Sequence, residues 1–345
     1  MKALTFVGPG ELEVSDIAPP PPLAGHEALV RMTLAGVCGS DLHIYHGHTP
    51  VEPGTVLGHE LVGVVEAVGA QVSRWRPGDR VVSSFVIACG TCAMCRRRWW
   101  AQCEERMILG HGAYFGGLGG AQAEFCVVPQ ADVNLFLIPP EVSDEQAVFA
   151  GDVLATGYFA ARRGGIEPGD SVLVVGAGPV GMMALMAAGL LGAGRILIAD
   201  PIEARLDLAR SLGAETLNPE LVNVEMAVRA RTDEAGVDVV LECVGRPDAM
   251  ETALRCVRGG GTVSAVGVPA QVSGEFPYYD AWNRDLTLRS GICNVHAVID
   301  SVLRLLAAGR LHPELVVSHR LALEEGPEAY RIFDRRQAHK IMLRP

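Results

Sequence analysis

Lysine is nearly missing from this 345-residue chain: Lys2 and Lys340 are the only two, so all but two of the 29 basic residues are arginine. A GC-rich coding bias explains this skew more simply than adaptation to heat, whose broader signal is lysine enrichment. Positive charge is also short overall. A formal net charge of −11 argues against nucleic acid or an anionic membrane as the main partner. Internal repeats are absent, and Pro19–Pro22, a rigid turn, is the only biased tract. Charged residues make up only 20% against 49% hydrophobic, which excludes a disordered chain; the length suits about two domains. Pro9 and Glu11 interrupt the N-terminus before a signal-peptide core can form, so no secretory or transit segment is expected. Residues 172–194 carry no charge and could pass for a membrane span. Gly176, Gly178, Pro179 and Gly181 punctuate that interval as strand, tight turn and helix, which predicts a soluble, cytoplasmic protein. Nine cysteines without a leader point to metal ligation and free thiols in a reducing compartment.

The texture of the chain changes after Asp152. Before it, short alternating apolar runs such as Ala28–Thr33, Leu61–Val68 and Ala123–Val128 are split by glycine and proline, as in β structure. After it, strands at Ser171–Val175, Arg195–Ala199, Val237–Glu242 and Thr262–Val266 alternate with helices at Val180–Leu191 and Ile202–Leu212. This pattern predicts an α/β doubly wound parallel sheet. Past Ser290, a helix over Val298–Ala308 and a strand over Lys340–Leu343 resemble neither part clearly.

Three groups of residues carry chemistry. The first is Cys38-Gly39-Ser40-Asp41-Leu42-His43 with Gly58-His59-Glu60 and Asp152. It offers thiolate, imidazole and carboxylate ligands of the kind that hold a catalytic Zn²⁺ while leaving one position open. Taken singly, Cys38 also reads as a small buried hydrophobe, and His59-Glu60 as a surface pair. The second is Cys89-x-x-Cys92-x-x-Cys95-x₇-Cys103. An iron–sulfur cluster would continue with x₃-C-P, which is not found here. A nucleic-acid finger is suggested by Arg96-Arg97-Arg98-Trp99-Trp100 but weakened by the acidic charge. A closed Cys₄ zinc site, structural and not catalytic, fits ligand number and spacing. The third is Val172-Leu173-Val174-Val175-Gly176-Ala177-Gly178-Pro179-Val180-Gly181, a strand running into a G-x-G-x-x-G turn and a helix. Gly176 permits the turn, Gly178 lets backbone approach a pyrophosphate, and Gly181 lets helix and strand pack; Pro179 and Val180 complete the turn. Asp200 ends the next strand, where an acid accepts hydrogen bonds from the adenosine ribose hydroxyls and repels a 2′-phosphate, favouring NAD. Arg205, five residues on, reads as a ribose or adenine neighbour, although it could instead welcome a phosphate.

Gly58-His59-Glu60-x-x-Gly63-x₅-Gly69-x-x-Val72 and Gly36-Val37-Cys38-Gly39-Ser40-Asp41 resemble the zinc signatures of the medium-chain alcohol dehydrogenase family, and the resemblance spans essentially the whole chain. Gly151-Asp152-Val153-Leu154-Ala155-Thr156-Gly157-Tyr158 is similar to the branch of glutathione-independent formaldehyde dehydrogenases and related bacterial alcohol dehydrogenases. The resemblance implies a mainly-β GroES-like catalytic domain at residues 1–153 and 291–345, with a Rossmann domain at 154–290. It implies two zinc ions per chain: a catalytic one on Cys38, His59 and Asp152 with Glu60 alongside, and a structural one on the four cysteines. Alcohol oxidation would pass through a zinc-bound alkoxide that releases hydride to NAD. Ser40 and His43 would carry the proton out; His46 and His48 match no role. Thr156, Gly267 and Ile292 would lie near the nicotinamide, and Lys340 would reach the pyrophosphate or else stand solvated. Phe85 matches a pocket position, with Leu109, Tyr114 and Trp282 as further neighbours. Arg98 replaces a glycine common in the cysteine lobe, and Trp99 and Trp100 could mark a subunit contact. A homotetramer is implied, with a dimer as second choice. A polyol or amino-alcohol dehydrogenase is the alternative, and a non-catalytic NAD-binding zinc protein a remoter one, since Cys38, Ser40, His43, His59 and Asp152 are all retained.

Overall fold

The computed structural model describes residues 1–269 and 276–345. The chain divides into two units, one built from Met1–Ala155 with Asn294–Pro345 and the other from Thr156–Cys293. The helix Ile299–Ala307 and the strand Lys340–Arg344, unassigned by pattern alone, therefore belong with the N-terminal part.

In the first unit, Val317–Ala322, Lys340–Arg344, Ala28–Val37, Leu61–Val68, Arg80–Ser83 and Leu135–Leu137 are neighbours in that order. A seventh strand, Phe125–Val128, also pairs with Ala28–Val37. Only the first pair is parallel. Along Ala28–Val37, the side chains of Ala28, Val30 and Met32 turn inward while Arg31 is exposed, the period of two of a half-buried strand. Their core partners include Leu61, Val65, Trp75 and Val81. Register then decides function. Ala35 pairs with Leu61, and Ile341 with Val37. The end of one strand thus lies beside the beginnings of two others, which brings Cys38, His59-Glu60 and Lys340 to a single edge.

Asp152 arrives from another direction. A capping box opens the helix Asp144–Ala150: Ser143 Oγ accepts from the Gln146 N–H, and Gln146 Oε1 accepts from the Ser143 N–H. Its last four residues are buried. A Cβ at the following Gly151 would lie 2.3 Å from the Ser83 carbonyl oxygen, so only glycine lets the helix end seat against that strand.

The second unit holds a six-stranded, all-parallel sheet in the order Glu215–Leu217, Arg195–Ala199, Ser171–Val175, Val237–Glu242, Val257–Ala265, Thr287–Ser290. The central strands are continuous apolar runs because both faces are covered; Val174 pairs with Ile198 on one side and Leu241 on the other. The strand expected at Thr262–Val266 begins earlier, at Val257, its first half disguised by the exposed Gly259 and Gly260. The uncharged interval 172–194 is a strand, a turn and the helix Pro179–Leu190. No helix among the described residues is long and apolar enough to cross a membrane. All nine cysteines are free thiols.

Candidate active site

Cys38, His59, Glu60 and Asp152 are all buried, and one ligand atom from each lies within 4.8 Å of the other three. The structure thus brings together the whole set expected at the catalytic metal. His59 is aimed by a residue the motif reading left without a task. Its Nδ1 lies 2.9 Å from Asp41 Oδ1, which turns Nε2 toward the cluster, 3.1 Å from Asp152 Oδ2 and 3.2 Å from Ser40 Oγ. Asp41 Oδ2 also accepts from the Cys38 N–H at 2.9 Å. A carboxylate behind a ligating imidazole fixes its tautomer and raises its basicity. Spacing offered a signal for this role, since Asp41 stands three residues after Cys38, an expected ligand, and ligating histidines usually have such a partner.

The electrostatics describe a set of donors short of positive charge. Burial, then the neighbouring Asp152, pushes the Cys38 thiol up. Burial opposes the charge of Asp152 and Asp41, yet His59 outweighs it and holds both carboxyls below their usual range. Glu60 Oε2 is buried without a hydrogen-bond partner. Thiol, imidazole and carboxylate donors converging in a buried site, one with an oxygen left over, fit a divalent cation of the zinc type.

Lys340 corrects an expectation. It does not stand solvated or free for a phosphate: it has no exposure, and its Nζ lies 2.5 Å from Glu60 Oε1 and donates to the Val37 carbonyl at 3.0 Å. A buried ammonium needs a counter-charge, and Glu60 supplies it. Gly36 makes the room, since a Cβ there would lie 1.8 Å from Glu60 Oε2.

Ser40 donates to Cys38 Sγ at 3.4 Å and so touches the ligand set. His43 sits half-buried in the short helix Asp41–Tyr45, its ring 6.2 Å from that of His48. Burial, then His48 and His46, holds it below the ordinary histidine value. His46, exposed, pairs with Asp334 at 2.8 Å. Phe85 meets the His59 ring edge-on at 6.1 Å. Leu109 is fully buried, whereas Tyr114 and Trp282 are largely exposed. His111, which the sequence reading passed over, packs edge-on against His59 at 5.1 Å. Burial and then His59 lower its affinity for a proton.

Cys89, Cys92, Cys95 and Cys103 form a second group of ligand atoms within 4.8 Å. Backbone N–H groups of Thr91 and Cys92 point at Cys89 Sγ, that of Cys95 at Cys92 Sγ, and that of Cys89 at Cys103 Sγ, at 3.3 to 3.4 Å. Such donors stabilise thiolates; the Cys95 and Glu104 N–H groups bring the Cys92 thiol down to about 6. Arg98 adopts φ 64°, the left-handed conformation that glycine prefers, and its carbonyl accepts from Asn294 Nδ2 at 2.8 Å. Trp99 is exposed, but Trp100 stacks on His296 at 5.5 Å and is only half available as a contact surface.

In the second unit, Gly176 turns the chain at φ 94°, and Gly178 caps the helix that Pro179 opens, with Val180 in its first turn. A Cβ at Gly181 would lie 1.8 Å from the Gly176 carbonyl oxygen, the close packing expected of the third glycine. Asp200 is buried beside this turn: Oδ2 accepts from the Ala177 N–H and Oδ1 from the Ile202 N–H, each at 2.8 Å, while Arg205 Nη1 lies 3.7 Å away. A carboxylate has about four acceptor positions, and the two backbone N–H groups use two of them. Thr156 is buried in the helix Val153–Gly164. Gly267 follows the strand Val257–Ala265 and packs on Gly245, and half-buried Ile292 follows Thr287–Ser290. The turn, Asp200, Gly267 and Ile292 thus all lie past the carboxyl ends of parallel strands, where such sheets bind ligands. Glu242, missed in the sequence, ends the strand Val237–Glu242 and fastens the next turn, accepting from the Val244 and Gly245 N–H groups at 2.7 Å.

Residues 24–140 match the family model described as alcohol dehydrogenase GroES-like domain, and residues 179–308 the model described as zinc-binding dehydrogenase. The chain is 34% identical, over the full length of both proteins, to an uncharacterized zinc-type alcohol dehydrogenase-like protein, AdhB, of Bacillus subtilis. Among solved structures, alcohol dehydrogenase TADH from Thermus sp. ATN1 is similar, with 50% identity, a TM-score of 0.97, and coverage of 100% of this chain and 99% of that one. A zinc-binding dehydrogenase from Sinorhizobium meliloti bound to NADP shares 28% identity, with a TM-score of 0.89 over 100% of this chain and 99% of its own.

Proposed function

From the premise that the chain belongs to the zinc-dependent medium-chain alcohol dehydrogenase family, we propose that it oxidises an alcohol reversibly to an aldehyde or ketone with NAD as hydride acceptor. The observation that carries this reading is the buried cluster of Cys38, His59, Glu60 and Asp152. Cys38, His59 and Asp152 would hold the catalytic zinc, with Glu60 kept aside by Lys340. Bound there, zinc supplies Lewis acidity that lowers the pKa of a hydroxyl group. The protein does the rest. Asp41 orients His59; Ser40 takes the hydroxyl proton, and His43 passes it to solvent. The four cysteines would hold the second zinc. Gly176, Gly178 and Gly181 cradle the pyrophosphate at a helix start, and Asp200 accepts from the ribose and repels a 2′-phosphate.

A relative that binds NADP makes the nucleotide the first point to test. A panel of primary, secondary, aromatic and polyol alcohols, offered with NAD⁺ and with NADP⁺ to zinc-loaded protein, should show reduction with NAD⁺ preferred. No turnover with any alcohol overturns the reading, and a preference for NADP⁺ overturns the role of Asp200. Replacing Asp200 by Gly should narrow the preference.

We place the protein in the cytoplasm as a homotetramer, or failing that a dimer. The edge strand Thr287–Ser290 is exposed throughout, and the helix before it presents Tyr278, Tyr279 and Trp282 to solvent. Such a face is self-complementary when two copies meet about a twofold axis. Sedimentation showing a monomer would remove this assignment.

A further inference from the structure

Glu242 bonds to two turns at once, and the reaction described above gives it no task. It is buried at the carboxyl end of the strand Val237–Glu242. Its side-chain Oε1 accepts from the Val244 and Gly245 N–H groups, each at 2.7 Å. Its carbonyl accepts from the Val266 and Gly267 N–H groups at 2.9 and 3.2 Å. The turn after Val237–Glu242 is thereby tied to the turn after Val257–Ala265. The two turns also touch backbone to backbone. A Cβ at Gly245 would lie 2.0 Å from the Val268 carbonyl oxygen, and one at Gly267 2.1 Å from the Gly245 nitrogen. The pair of turns meets the glycine turn as well: Val244 Cγ2 lies 2.5 Å from where a Gly176 Cβ would stand. A carboxylate is costly to bury, and the two N–H groups that offset the cost are those that fix the turn.

Sheet order says what extends over these turns. Arg195–Ala199, which leads into Asp200, flanks Ser171–Val175 on one side; Val237–Glu242 and then Val257–Ala265 follow on the other. A dinucleotide with its adenosine ribose at Asp200 and its pyrophosphate at the glycine turn must extend its second half across the turns that Glu242 ties. In those turns Val244 and Val268 keep exposed apolar side chains. We propose that Glu242 is a positioning residue for the nicotinamide half of the cofactor, acting through the backbone of both turns without touching the cofactor itself. With the turns held beforehand, binding does not have to order them, and the gain in affinity falls to that half alone. This assignment rests on the dinucleotide site proposed above, and it adds to that site a residue outside the glycine motif.

The test compares calorimetric Kd values for NADH and for AMP, which carries only the adenosine half, in wild type, Glu242→Ala and Glu242→Gln. Glu242→Ala should weaken NADH binding about tenfold, the cost of ordering one or two loosened residues, and leave AMP binding unchanged. Both side-chain bonds end on Oε1, so Glu242→Gln keeps the acceptor and should restore most of the NADH affinity. Amide hydrogen exchange of the wild type supplies a readout that needs no variant: NADH should slow exchange across residues 243–246 and 266–268, and AMP should not. An unchanged NADH Kd in Glu242→Ala overturns the assignment, and so does an equal loss for NADH and AMP or an equal loss in both variants. Where Glu242→Ala fails to fold, exchange that NADH leaves unaltered, or that AMP slows as much, overturns it. A wild type that binds AMP and NADH refutes neither reading; one that binds neither nucleotide refutes the dinucleotide site itself, and the assignment falls with it.

Discussion

The Lys340 ammonium faces the Glu60 carboxylate at 2.5 Å with neither side chain exposed to solvent. A chain that uses arginine almost everywhere keeps one of its two lysines for this interior position. Removing one partner of a buried pair strands the other as an uncompensated charge. Lys340→Met should therefore destabilise the zinc-free protein by roughly 3–5 kcal/mol, and the double variant Lys340→Met/Glu60→Gln should recover most of that loss. Urea denaturation of the three proteins measures both quantities; a small loss in the single variant would show that the pair is not coupled.

Arg98 holds a left-handed backbone that costs a non-glycine residue roughly 1–2 kcal/mol. Part of that gain would be offset by the extra freedom of glycine in the unfolded chain. Arg98→Gly should stabilise the protein by up to about 1 kcal/mol. The bond from Asn294 ends on the backbone carbonyl and survives the change. Thermal unfolding of the zinc-loaded protein checks the sign.

His43 titrates below the ordinary histidine value because of burial and the neighbouring His48 and His46. As a proton acceptor it works only when neutral, so a depressed value keeps it competent into more acidic solution. The acid limb of kcat should accordingly fall below about pH 6.5. His48→Gln removes one repelling neighbour and should move that limb upward, toward neutral pH. A limb that stays put in both His48→Gln and His43→Gln would take His43 out of the proton path.

Asp41 touches no substrate, but it orients His59. Asp41→Asn should cost about ten- to a hundredfold in affinity for the catalytic metal, read by competition with a chelating dye. The four-cysteine site should keep its own metal in this variant.

Elemental analysis should find two zinc ions per chain. Cys103→Ala should lose one of them together with thermal stability, and Cys38→Ala the other together with alcohol oxidation. Both variants should still bind NADH, because the glycine turn and Asp200 involve neither cysteine. One zinc in the wild type would refute the two-site assignment.

Much of this was legible in the sequence because the informative residues are close together. The glycine turn spans six residues, the cysteine lobe fifteen, and Cys38 to His43 six. In each, short-range geometry leaves few alternatives. Asp152 could be listed as a candidate carboxylate, but its place as third ligand came through resemblance, since no local pattern says that a residue after a helix end will meet Cys38. Lys340 was misjudged for the same reason. A lone lysine near a terminus reads as solvated until strand pairing shows Ile341 opposite Val37. His111 and Glu242 lay hidden because their meaning comes from what surrounds them: the ring of His59 in one case, and two backbone N–H groups of the next turn in the other.

The pairing of Ala35 with Leu61 has a consequence for how such a chain tolerates change. Strand register sets Cys38 beside His59, and Asp41 steadies both from the helix Asp41–Tyr45, so the loop that follows this helix can lengthen or shorten without moving either residue. A single residue inserted within Ala28–Val37 is a different matter. It would turn the alternation over, swap interior for surface, and carry the thiol away from the imidazole. The metal chemistry is thus insured against variation in the loop and exposed to a one-residue error in the strand.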